Sequence, residues 1–233
     1  MKTLTNVVTI EPQTKRNAAT LTTLGAAGLL LSLLLFIKFS HLFAFSLVMF
    51  GFALVSLLLG IAKLNEPSIS LKLTSEGLCY FHRRGQYKVS WDNIVRIDNA
   101  RVTQNMALIE LPYLGLKLKQ MNPVLDAISP RLATGLLTEQ RPLLMTAATH
   151  DEDLKSLEKY LGAEFEPFIS HGERYRGVLA MFGRRSETLA ENLGYHLYIS
   201  HDAIDRPAEE IVALLRQWQA EYLVSEHEPH QGK

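Results

Sequence analysis

The chain has one cysteine in 233 residues, Cys79, so no internal disulfide can form. That fits a reducing compartment. Cys79 stands in an alternating stretch and reads as a small buried hydrophobe rather than a nucleophile. Signatures of chemistry are also missing. There is no glycine-rich phosphate loop, no nucleophile elbow and no zinc-ligand spacing. His196 and His201 are five positions apart and have no partner at ligand spacing, so neither a metal nor a cofactor is implied. Formal net charge is zero, and residues 63–233 carry 20 basic against 23 acidic side chains, which gives no footing for nucleic acid. The sharpest absence is of charge in residues 18–62, where Lys38 stands alone.

That absence is filled by two apolar runs, 18–37 and 42–62, of 20 and 21 residues. At about 1.5 Å per residue each spans a hydrocarbon core of roughly 30 Å. Backbone amides must be satisfied inside lipid, so each run is expected to be a helix. The first is too long for a signal-peptide core, and a second follows after four residues, Lys38-Phe39-Ser40-His41. Four residues cannot recross a bilayer, so the helices are expected to be antiparallel neighbours. Gly25 and Gly28 on the first and Ser56 and Gly60 on the second are the expected contact face, since small residues let backbones approach. No ionisable group lies inside either span, which argues for an anchor rather than an ion path. Lys15, Arg16 and Lys63 flank the shared ends, and Lys38 alone marks the turn. The bias places both termini in the cytoplasm, with residues 1–17 as an N-terminal cytoplasmic segment.

The remainder is soluble in character. Charge divides within it: residues 63–121 hold nine basic and five acidic side chains, and residues 122–233 hold 11 and 18. Residues 69–73 alternate strictly and predict a strand. Residues 77–83 and 86–91 predict two more, joined by a tight turn at Arg84-Gly85. Tyr87, Val89 and Trp91 share a face. Asp92-Asn93 makes the next turn and Ile94 to Ile97 opens a fourth strand. Ala107 to Leu111 and Gly115 to Leu118 predict two short strands, with Pro112 marking a turn or an edge. The pattern is an antiparallel β-meander over residues 63–121.

Here the residues carry a resemblance. Leu73-Thr74-Ser75-Glu76-Gly77-Leu78, Arg84-Gly85 and Ser90-Trp91-Asp92-Asn93-Ile94 resemble the bacterial pleckstrin-homology-like (PH-like) domains, which often follow a two-span hairpin. The chain also resembles an uncharacterised bacterial inner-membrane protein family known as a domain of unknown function. The resemblance covers residues 19–120. It implies a PH-like barrel and a bacterial inner (cytoplasmic) membrane address, multi-pass, but no reaction.

Residues 122–224 exceed what such a barrel needs. Val124, Leu125, Ile128, Leu132 and Leu136 have helical spacing, with Pro130 dividing the run. Pro142 to Thr146 predicts a short strand. Thr149 to Glu152 is a capping box opening a helix to Leu161. Ser186 to Leu193 predicts a helix and Tyr195 to Ser200 a strand. Asp205 is an expected N-cap for a helix through Tyr222. Residues 225–233 predict a disordered tail. Either residues 122–193 are an insertion in the barrel, or 142–161 and 195–222 repeat one unit.

The fold class expected is thus a membrane α-helical hairpin plus a cytoplasmic α+β domain, a β-meander or PH-like barrel with helical additions and a C-terminal helix. Two basic groups are candidates for binding a lipid headgroup or a partner: Arg83, Arg84 and Lys88 at a turn, and Arg174, Arg176, Arg184 and Arg185, interleaved with Tyr175 and Phe182. The plainer alternative is a solvated loop paired with Glu173 and Glu187. Three functions stay open: a non-enzymatic scaffolding or sensing module at the inner face of the membrane with an unidentified protein partner, a binder of anionic phospholipid headgroups, and an enzyme with its site in residues 122–224.

Overall fold

The computed structural model describes residues 7–13, 17–104, 107–148 and 166–227. They fall into two compact units, residues 11–69 and residues 1–10 with 70–233.

The first unit is a helical hairpin. Helix α1 spans Ala18–Lys38 and α2 spans Phe43–Leu64, joined through a 3-10 turn at Ser40–Leu42. Both are long and apolar enough to cross a membrane, and only 11% and 17% of their most apolar windows are buried. A soluble core helix would bury most of that surface. Leu30, Leu34, Phe45 and Phe52 instead stand exposed. The helices meet along their small residues. A Cβ at Gly25 would lie 2.5 Å from the Leu57 backbone nitrogen, and one at Gly28 would lie 2.9 Å from the Ala53 Cβ. Gly60 lies against Thr22, and the Ser56 hydroxyl donates to the Leu21 carbonyl at 3.1 Å. All four expected contact residues are in the interface.

The second unit holds three antiparallel sheets and their helices. The first sheet has strands β1 (Val8–Ile10), β2 (Leu71–Leu73), β3 (Gly77–His82) and β4 (Gly85–Ser90), antiparallel in that order. Strand β1 lies in the segment before the hairpin, expected to be a plain N-terminal segment, and pairs Val8, Thr9 and Ile10 with Leu73, Lys72 and Leu71. The second sheet orders β5 (Ile94–Gln104), β6 (Ala107–Leu118) and β9 (Leu197–Ser200). Strand β5 runs well past Ile97. Strand β6 is continuous through Pro112, where two strands were expected. The ladder shifts register between Asn99 and Arg101, so Pro112 falls where no amide is needed. A two-stranded hairpin, β7 (Phe168–Ser170) and β8 (Glu173–Tyr175), stands where the alternative to a basic binding cluster is a solvated loop. Its turn uses left-handed backbone at His171 (φ 45°) and Gly172 (φ 85°). The sheets are separate, and no closed barrel is formed among the described residues.

The helices correct several expectations. Residues 122–137 divide before Pro130 into α3 (Asn122–Ala127) and α4 (Pro130–Glu139), with the Ser129 hydroxyl accepting from the Leu132 amide. Residues 142–146 belong to helix α5 (Arg141–Ala148), not to a strand. A five-residue apolar run fits either period, and burial of Leu143, Leu144 and Ala147 settles the helical one. The repeated-unit reading fails with that strand. The helix expected over 149–161 lies outside the described residues. Helix α6 spans Gly177–Leu193, starting nine residues before Ser186. Helix α7 spans Ala208–His227, so residues 225–227 are helical rather than tail. Asp205 lies three residues before it, where its carboxylate takes the Arg206 Nε at 2.8 Å, and the Pro207 carbonyl accepts from Glu210 and Ile211.

One apolar core joins the two larger sheets to α3, α4, α6 and α7, through Leu71, Leu78, Trp91, Leu114, Leu125, Leu132, Phe182, Ile199 and Leu215 among others. Described residues on both sides of 149–165, from Val124 to Trp218, are therefore packed into the meander's own core. A smaller cluster sets Ala100 and Val102 against Leu143, Leu144, Leu189 and Leu193.

Replacing Gly25 with Leu is expected to lower hairpin stability by about 1–3 kcal/mol, the usual range for overpacking. Denaturant titration of the full chain in detergent reads this. Gly51→Ala, with nothing within 4 Å, should leave the midpoint unchanged.

Candidate functional site

The β3–β4 turn presents Arg83 and Arg84. Arg83 is exposed, with its guanidinium 3.5 Å from Glu139 Oε1 at the end of α4. Arg84 lays its stem over α4: a Cβ at Gly135 would meet the Arg84 Cδ at 2.7 Å. His82 completes the group. Its Nδ1 accepts from the Arg84 amide at 3.2 Å, which leaves the proton on Nε2, 3.1 Å from Glu139 Oε1. The hydrogen bond from His82 holds the Glu139 carboxyl below its ordinary 4.5, against the opposing effect of burial. Lys88 is not part of this turn group. It lies along β4 and pairs with Glu76. Cys79 sits half-buried on the outer side of β3, with Lys72 and Lys88 as its cross-strand partners.

The second basic group is dispersed. Arg184 donates to the Glu166 and Pro167 carbonyls at 3.3 and 3.4 Å. Arg185 donates to the Leu137 carbonyl at 3.3 Å, and burial, then nearby Arg141, lowers its pKa. Both are structural ties from α6. Arg174 and Arg176 are exposed on the outer side of the β7–β8 hairpin and make no hydrogen bond or ion pair with the described residues. Ile169, the cross-strand partner of Arg174, is 68% exposed beside them.

Beneath that hairpin lies a polar clamp that no local pattern announced. The Tyr175 hydroxyl sits 2.6 Å from Glu173 Oε2 and 2.9 Å from Asp126 Oδ1. The Asn122 amide donates to Glu173 Oε2 at 3.1 Å and to the Ser170 carbonyl at 2.8 Å. Burial first, then the two carboxylates, push the Tyr175 phenol far above its ordinary value. Only alternation in strand 173–175 could have exposed Tyr175 as the inward residue.

A third polar group lines the open edge of β5. Arg216 on α7 donates from Nε to the Ile97 carbonyl at 2.9 Å and pairs with Asp98 at 2.9 Å. Gln219 donates to the Ile94 carbonyl at 2.6 Å. A shallow groove of about 390 Å³ lies alongside, lined by Asp92, Val95, Lys119, Arg216, Gln219 and Leu223.

The two histidines weighed as a metal pair do other things. His196 Nδ1 accepts from the Leu118 amide at 3.0 Å, and burial lowers its pKa. Burial also lowers that of His201. Among the described residues no group of three His, Cys, Asp or Glu is placed to hold a metal ion.

A family model described as protein of unknown function (DUF2982) matches residues 71–221. The chain belongs to this family. The match opens on the first residue of β2 and closes within α7, leaving out β1 and the hairpin. No curated protein and no solved structure matches the chain.

Two outcomes follow from these clusters. Glu139 titrates lower folded than unfolded, so its contribution is complete above pH 4.5 and is lost as pH falls through the lowered folded value. Glu139→Gln should therefore show a smaller drop in melting temperature between pH 7 and pH 3.5 than the wild type. Tyr175→Phe removes the clamp's hydroxyl, and limited trypsinolysis should then cut after Arg174 or Arg176 several-fold faster.

Proposed function

We propose that the chain is a non-enzymatic module anchored in the bacterial inner (cytoplasmic) membrane by two spans, with both termini cytoplasmic, which scaffolds or senses at the inner face through a protein partner. The observation that carries this reading is the pairing of β1 with β2. These hydrogen-bonded neighbours stand on either side of the hairpin in the chain. Both ends of the hairpin thus return to one sheet, which favours an even number of crossings. The exposed apolar flanks of α1 and α2 support a lipid environment, and Lys15, Arg16 and Lys63 against Lys38 support the orientation. The polar clusters favour a binding role over catalysis. His82 has both ring nitrogens engaged, and a general base needs one facing its substrate. A four-stranded and a three-stranded sheet with a closing helix α7 support the PH-like reading, with residues 122–193 inserted before the last strand.

Reporter fusions test this reading. A fluorescent protein that matures only in the cytoplasm should be bright at either terminus, and alkaline phosphatase should be active only when inserted at the 39–41 turn. Phosphatase activity at residue 100 overturns the orientation.

A second reading, binding of anionic phospholipid headgroups, is favoured at one place only. Arg174 and Arg176 are the members of the basic set that are exposed and make no bond to other described residues. Native mass spectrometry of the detergent-solubilised full chain should retain phosphatidylglycerol over phosphatidylcholine. Arg174→Gln with Arg176→Gln should remove that preference. Equal retention of the two lipids by the wild type sinks this reading.

A further inference from the structure

We propose that β1 is a topology lock: the domain gains its last strand in chains whose two spans have crossed the membrane as a pair, and not in chains in which one span alone has crossed. The proposal rests on the anchor reading above. Strand β1 is short but deeply used. Ile10 is fully buried in the core beside Leu71 and Leu73. Its carbonyl accepts from both the amide and the hydroxyl of Ser70, at 2.8 and 3.0 Å. Ser70 is itself buried, and its carbonyl takes the Phe81 amide at 2.7 Å. Without β1, the β2 edge loses its partner, Ser70 loses its acceptor, and the core opens at the Ile10 position. Buried polar groups without partners and an open apolar edge both favour unfolding and capture by other chains.

The reach of the connecting chain makes this a test of topology. Ile10 is joined to α1 through residues 11–17, and α2 is joined to β2 through residues 65–70. Fully extended, each connection reaches less than about 30 Å. A bilayer with its headgroups is about 40–45 Å thick. Neither connection can therefore carry β1 back across a membrane. If α1 crosses and α2 does not, β1 and β2 lie on opposite sides and the ladder cannot form. If both cross, the two strands emerge on one side, and pairing follows at the high effective concentration of a tethered segment. The same fold thus distinguishes the two-span chain from the one-span chain and leaves the latter open to proteolysis.

The experiment uses the full chain in membranes. Thr9→Cys and Lys72→Cys, at directly paired positions, are introduced in a Cys79→Ala background with a protease site in the 39–41 turn. After oxidation and cleavage, the two fragments should run as one chain until reduced. Phe52→Arg with Val55→Arg, on the exposed side of α2, blocks the second crossing. It should abolish the cross-link and speed proteolysis of the domain at least ten-fold. Ile10→Asp should speed proteolysis similarly while reporter fusions still place both termini on one side. An unchanged proteolysis rate for Ile10→Asp overturns the lock. So does a missing or purely intermolecular cross-link in a chain with both termini on one side. Termini on opposite sides in the wild type overturn the anchor reading itself.

Discussion

Trp91 ties the soluble unit together. One of two tryptophans in the core, it is wholly buried, and its indole nitrogen donates to the Thr74 carbonyl at 2.9 Å. Its amide donates to the Glu76 carbonyl, and its own carbonyl takes Gln219 from α7. One residue thereby fixes the β2–β3 turn, the end of β4 and the C-terminal helix. A buried indole is tolerated where its N–H finds a partner, and here the partner is a turn carbonyl that also accepts from the Gly77 amide at 3.3 Å. The core that holds Trp91 also takes side chains from β5, β6, α3 and α4.

The legibility of the fold followed the range of the interactions. Strands with strict alternation and helices with uncharged runs were readable, because period and length are local properties. The hairpin interface was readable too: glycines at helical spacing have a steric meaning without knowledge of a partner. Strand β1 was not. Val8, Thr9 and Ile10 are three unremarkable residues whose partner lies about sixty positions on, past two spans. Pro112 looked like a terminator because its missing amide was charged against the ladder, and the bulge that excuses it depends on the register of β5. Residues 142–146 were ambiguous from the start, since five apolar residues fit a strand or a helix until neighbours choose.

The candidate sites show the same divide. Clusters of arginine are visible in a sequence, but what neutralises them is not. Glu139 lies more than fifty positions from His82 and Arg83, and the carbonyls that engage Arg184 and Arg185 leave no trace in residue type. Of the seven basic residues, the structure leaves Arg174 and Arg176 exposed with no bond to other described residues, and most of the others engage neighbouring groups. Membership of the DUF2982 family adds no reaction, since that family is described as of unknown function.

The open edge of β5 has a further meaning. An unpaired strand edge invites another strand, and molecules confined to a shared plane meet far more often than molecules free in solution. In this chain the carbonyls of Ile94 and Ile97 are engaged by Gln219 and Arg216. Amide and guanidinium groups there take the places of a neighbouring ladder's donors. At these two positions side chains of the chain itself occupy the carbonyls that an added strand would need.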